Sequence, residues 1–119
     1  MNKDNIDLVL KCEDPKKFVE LAEKKTKKWN RNKRNKISSS QLRNLYEYVL
    51  KVDDVSDKNL VLLKPKLVYI KKRNNLDKDF VNFISNLISN INSNKELENF
   101  KDFFEAIVAY NKEYGDDKK

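Results

Sequence analysis

A chain of 119 residues with one glycine and two prolines has almost no material for tight turns. A β-sandwich or barrel needs a turn signal about every 8–12 residues, whereas helices need far fewer. The chain is therefore read as all-α. Leu, Ile, Val and Phe supply 35 residues, enough for a packed core although 38% of side chains are charged. This length suits one domain. The expectation is a single compact bundle of about five helices over residues 1–119, with 1–12 either a flexible arm or a short helix and 115–119 a frayed tail.

Local signals divide the chain. Asp14 followed by Pro15 reads as an N-cap and first helical residue, opening a helix that carries Phe18, Leu21, Ala22 and Trp29 on one face. Residues 30–36 contain no apolar side chain and read as an exposed basic loop. Ser38 and Gln41 form a capping box, with Ile37 and Leu42 as a hydrophobic staple, and Leu42, Leu45, Tyr46, Val49 and Leu50 continue as an amphipathic helix. Leu60–Leu63 fits either a buried strand or a helical turn. Lys64 before Pro65 is biased away from helix, so a break is expected there, with Pro65 opening the next helix. Phe80, Phe83, Ile84, Leu87 and Ile88 trace another helix. Asn94 is expected to cap the last one, whose stripe runs through Phe100, Phe103, Phe104, Ile107 and Asn111 to a C′ glycine at Gly115.

Missing residue types remove much chemistry. Without histidine there is no Ser-His-Asp or Cys-His machinery and no paired-histidine metal helix. The lone Cys12 makes neither an internal disulfide nor a cysteine zinc site. One glycine cannot build a phosphate-cradling loop. No apolar run has the length of a membrane span, and the first residues lack a signal-peptide core. The expectation is a soluble, cytoplasmic binding or structural protein with no catalytic set, metal, cofactor or membrane partner.

Charge is unevenly placed. The net charge is +7, but residues 1–73 hold 20 basic and 10 acidic side chains while residues 74–119 hold 6 and 9. Lys24–Lys36 and Lys58–Arg73 are basic without any acid. Clustered Lys and Arg suit a polyanion, because they release counterions condensed on phosphate backbones. A lysine-rich composition, suggested by sixteen asparagines, would raise the charge but would spread it evenly. Two aspartate groups, Asp53, Asp54 and Asp57, and Asp77 with Asp79, raise the question of a magnesium nuclease; both sit at helix starts, where aspartate serves as a cap.

Three segments resemble a known family when taken together. Lys36-Ile37-Ser38-Ser39-Ser40-Gln41-Leu42-Arg43 is similar to a helix opening in the small subunit of type III-A CRISPR–Cas effector (Csm) complexes. Leu62-Leu63-Lys64-Pro65-Lys66-Leu67-Val68-Tyr69 and Phe103-Phe104-Glu105-Ala106-Ile107-Val108-Ala109-Tyr110 resemble two further segments of that family, in family order. Ile70-Lys71-Lys72 departs from it, since small residues usually follow the tyrosine there. The resemblance implies a non-catalytic helical subunit that stacks in copies along the crRNA–target RNA duplex, beside backbone and large subunits that do the cleaving.

Arg43, near the start of the Ser38 helix, is the first candidate for phosphate contact. Lys36, Lys64, Lys66, Lys72 and Arg73 follow, with Lys33 and Arg34 in the loop. Tyr48 lies off the apolar stripe and could stack on a base, whereas Tyr46 and Trp29 read as core. Two other classes compete with this reading. One is a free-standing nucleic-acid-binding protein, which would want a glycine-containing helix-turn-helix; the other is a scaffold touching only proteins.

Overall fold

The computed structural model describes residues 3–74 and 76–115, apart from the side chains at 35, 73 and 74. Among these residues there are six α-helices: α1 (Lys3–Lys11), α2 (Pro15–Trp29), α3 (Ser39–Leu50), α4 (Lys58–Asn74), α5 (Lys78–Asn90) and α6 (Asn94–Tyr114), with a 3₁₀ turn at Lys33–Asn35. The all-α expectation holds, with six helices where about five were expected. The additional helix is α1, which buries Ile6, Val9 and Leu10. It ends at Cys12, whose φ of 48° is left-handed and whose amide bonds back to the Leu8 carbonyl at 3.2 Å. A residue with a Cβ gives up about 1 kcal/mol in that conformation.

Helix α6 is the centre of the bundle, packed on α1, α2 and α3, while α4 packs on α5 and α3. Its stripe of Phe100, Phe103, Phe104 and Ile107 is wholly buried. Phe103 meets Phe18 of α2 edge-on at 5.3 Å, and Trp29 meets Phe80 of α5 at 4.9 Å. Such edge-to-face pairs add about 0.5–1.5 kcal/mol beyond the area they bury.

The helix starts follow the caps. The Asp14 carboxylate accepts from the Lys17 amide, the Ser38 hydroxyl from Gln41, and the Asp77 carboxylate from Asp79 and Phe80. At α6 the expected cap is corrected. Ser93, not Asn94, accepts from the Glu96 amide at 3.1 Å, and the Asn94 side chain instead accepts from Val55 at 2.9 Å. Serine's shorter side chain makes the cap while asparagine reaches across to the α3–α4 connection.

Two further expectations are corrected. Gly115 does close α6, but with φ −90° it is not the left-handed C′ glycine. Its lack of a Cβ matters for space: a Cβ there would sit 2.3 Å from the Asn111 Nδ2. Residues 58–74 form one helix, without the expected break at Lys64. Leu60, Leu63, Leu67 and Ile70 bury a continuous stripe across Pro65, and that burial holds the helix together. Pro65 itself is exposed, as is Val61, so the carbonyl that loses its partner at Pro65 can bond to water. The tail expected to fray lies, from residue 116 on, outside the described residues.

Candidate nucleic-acid interface

The cations singled out by the sequence fall on two separate elements. Lys33, Arg34 and Lys36 lie in the α2–α3 connection and Arg43 on α3; Lys64, Lys66 and Lys72 lie on α4. Arg73 also belongs to α4, but its side chain lies outside the described residues.

The first group stands on a buried clamp. Asn30, which ends α2, is buried, a correction to the wholly exposed loop expected from its polarity. Its Oδ1 accepts from the Ile37 amide at 2.7 Å, and its Nδ2 donates to the Thr26 carbonyl and to Asn111 Oδ1 at 2.9 and 2.8 Å. Asn111 Nδ2 then donates to the Ile37 carbonyl at 3.0 Å. Both backbone polar atoms of Ile37 are thus held by asparagines from α2 and α6. The two ends of the connection are pinned together, and Lys33, Arg34 and Lys36 project from a fixed base into solvent. Asn32 caps the 3₁₀ turn by accepting from the Arg34 amide at 2.9 Å.

The clamp also fixes the start of α3. Ser38 caps it, and the Ser39 hydroxyl bonds to the Asn111 carbonyl at 3.5 Å. Free amides and the helix dipole make this end attractive to anions. Arg43 is the fifth residue of α3, at the start of its second turn. Helical side chains lean toward the N-terminus, which tilts the Arg43 side chain back toward the first turn. Arg43 is exposed and forms no ion pair with a described carboxylate, Glu47 included.

The basic α2 segment differs. Asp79 Oδ2 lies 3.6 Å from Lys25 Nζ and 3.7 Å from Lys28 Nζ, and accepts from Trp29 Nε1 at 2.9 Å. Burial pushes the Asp79 carboxyl up, but the Trp29 N–H and the two lysines outweigh it and hold it below its ordinary value. Glu20 and Glu23 line a depression with Lys24, Lys27, Lys28 and Arg31. A stretch without acids in sequence is balanced by acids in space, whereas the loop cations are not.

On α4 the cations diverge. Lys64 is half-buried and its ammonium donates to the Ser89 hydroxyl on α5. Lys66 sits over the Tyr48 ring at 3.9 Å, in a groove between α3 and α4 of about 600 Å³ that Tyr69 also lines. Lys72 shares a shallow depression with Pro65, Val68 and Tyr69. The structure therefore does not gather the α4 lysines with Arg43. Trp29 is core as read, whereas Tyr46 is half-buried against the core, stacked on Phe104 at 6.0 Å. Tyr48 is partly exposed.

Asp77 caps α5, while Asp54 and Asp57 tie down the turn that leads into α4. Asp54 accepts from the Ser56 hydroxyl and amide, and Asp57 from the Asp53 and Asn59 amides; these bonds hold both carboxyls below their ordinary value. Among the described residues no cluster of three carboxylate or thiol side chains could hold a metal ion. Nor is any described helix long and apolar enough to cross a membrane.

Sequence reasoning missed Asn30 and the purpose of Asn111. The signal was present in one case: Asn111 falls on the apolar stripe of α6, where a polar residue needs a buried partner. It also missed that α4 is apolar on its solvent side, with Val61, Leu62, Val68 and Tyr69 exposed.

Residues 12–117 match the family model described as Csm2 Type III-A. No curated protein and no solved structure matches the chain.

Proposed function

The chain belongs to the Csm2 Type III-A family and is a small subunit of a type III-A CRISPR effector; from that premise we propose that it is a non-catalytic subunit contacting the phosphate backbone of target RNA. The observation that carries this reading is the uncompensated cationic surface of Lys33, Arg34, Lys36 and Arg43 around the start of α3, fixed from below by Asn30 and Asn111. Lys64, Lys66, Lys72 and Arg73 form a second, separate set whose contact with RNA is secondary in this reading.

Phosphate contacts position a protein on nucleic acid without reading sequence. That suits a complex in which base pairing with crRNA chooses the target and the small subunits support the duplex. A rigid base under the loop cations lowers the ordering entropy lost on contact. The partners in this reading are crRNA and target RNA, the backbone and large subunits, and further copies of the same chain stacked along the duplex. Its setting is the cytoplasm.

Photo-crosslinking tests the assignment. In the assembled effector, a target RNA carrying 4-thiouridine should crosslink to peptides covering residues 31–43. Crosslinks confined to α5 and α6, or absent from this subunit while present on its neighbours, would contradict it.

A further inference from the structure

The solvent side of α4 carries an apolar stripe that the bundle does not cover. Val61, Val68 and Tyr69 are 62, 60 and 64% exposed, and Leu62 is 41% exposed. Tyr48 of α3 borders the same stripe across the α3–α4 groove, so five of the seven large exposed hydrophobics among the described residues lie together. Concentration of this kind marks a protein contact, whereas a phosphate-binding surface needs no exposed valine or leucine. Around the stripe the charges are mainly positive: Lys51 and Lys66 line the α3–α4 groove, where Glu47 is the one acid, and Lys72 borders Pro65 and Val68.

A complementary surface exists on the same chain. Along α6, Glu98, Asp102 and Glu105 are exposed at intervals of four and three residues, and exposed Ala109 continues the stripe without bulk. None of these three carboxylates forms an ion pair with a described cation. Helix α6 packs on α1, α2 and α3, whereas α4 packs on α3 and α5, so the two stripes do not cover one another within a molecule.

We propose that the exposed α4 stripe of one copy docks on the acidic α6 stripe of a second copy. The proposal rests on the self-association put forward above and assigns its two faces. Pairing α4 with α4 would set Lys66 and Lys72 against their own counterparts, a like-charge arrangement that interfaces avoid. Pairing α4 with α6 places cations against carboxylates and buries Val68 and Tyr69 over the small Ala109. The contact is heterologous, so each bound copy leaves one face of either kind free and growth continues.

Two full-length variants test it by sedimentation, without RNA: V68D/Y69S disables the α4 face, and D102K/E105K disables the α6 face. Circular dichroism should show both to be as helical as the parent. The parent should self-associate with rising concentration, more strongly at low salt, and each variant alone should do so at least about tenfold more weakly. An equimolar mixture of the two should form one-to-one dimers and nothing larger, because one intact α4 face meets one intact α6 face. A parent that stays monomeric up to several hundred micromolar, a variant that associates like the parent, or a mixture that fails to dimerise would overturn the proposal. Loss of RNA affinity in V68D/Y69S with unchanged self-association would overturn it and give the stripe to RNA. The crosslinking of residues 31–43 is read separately, so failure here and failure of the RNA reading are distinguishable.

Discussion

Ile37 is the residue on which the candidate surface turns, because side chains from two helices hold its amide and its carbonyl. Asn111→Ala strands the Ile37 carbonyl and one of the two Asn30 side-chain N–H groups in a buried site. Leaving buried groups unpaired costs about 1–3 kcal/mol each, so the variant should lose about 2–4 kcal/mol in urea unfolding. Amide exchange at Ile37 should quicken in the same variant; a stability loss within about 0.5 kcal/mol of zero would show that the clamp does not hold the loop. Glu96 gives a second test at this scale. Its carboxylate accepts from Lys11 Nζ at 2.5 Å and from the Asn92 amide at 2.8 Å, and these two bonds hold it below its ordinary value of 4.5. A carboxyl lowered in the folded state adds stability above its ordinary value, and that stability is lost as pH falls through the folded value. Stability should therefore decline below about pH 4.5, in the window set by the lowered carboxyl. Glu96→Gln should be less stable than the parent at neutral pH and flatter across that acid range. An unchanged acid slope would remove Glu96 from the account.

At the scale of the helix, α4 shows where local signals and tertiary packing disagree. Proline inside a helix loses a hydrogen bond and is about 3 kcal/mol worse than alanine. It also restricts the unfolded chain, which returns about 0.4–1 kcal/mol. Pro65 is exposed, so Pro65→Ala should stabilise the protein by roughly 2 kcal/mol in chemical denaturation without changing its helical content. A destabilised variant would mean that the helix depends on the proline. The break expected at Lys64 came from this same propensity, which the burial of Leu60, Leu63, Leu67 and Ile70 overrides. Helices α2 and α3 were legible because capping residues and an apolar stripe agreed in each, as with Asp14 and Phe18 or Ser38 and Leu42, whereas α5 and α6 were legible from their apolar stripes. The residues of the candidate surface were legible as types and not as a place. Lys25 and Lys28 look identical to Lys33 and Lys36 along the chain, and only folding brings Asp79 against the first pair. Asn30 was hidden for a related reason: beside Arg31 and Asn32 its polarity marks a loop, and its burial depends on α6, more than eighty residues away in the chain.

Across the whole molecule the excess of +7 is distributed by topology. The α2 lysines are answered by Asp79, Glu20 and Glu23, the α6 face is acidic, and the cations left unanswered on a fixed base are those of the α2–α3 connection and Arg43. Lys101 is unsuitable as a neutral control, because its ammonium donates to the Val52 carbonyl and joins α6 to the end of α3. Lys78, Lys95 and Lys112 are exposed and serve better. The most direct test is the salt dependence of target-RNA affinity in the assembled effector, compared between K33E/R34E/K36E/R43E and K78E/K95E/K112E. Removing one phosphate neutralisation lowers the log–log slope by about 0.7 on a single strand and about 0.9 on a duplex. The loop variant should weaken binding of unrelated target RNAs, each paired with its own guide, by similar factors and flatten the slope, while the control keeps the parent's affinity and slope. Equal behaviour of the two variants would contradict the account, since the cations around the start of α3 would then be a solvated face and not the surface that meets RNA.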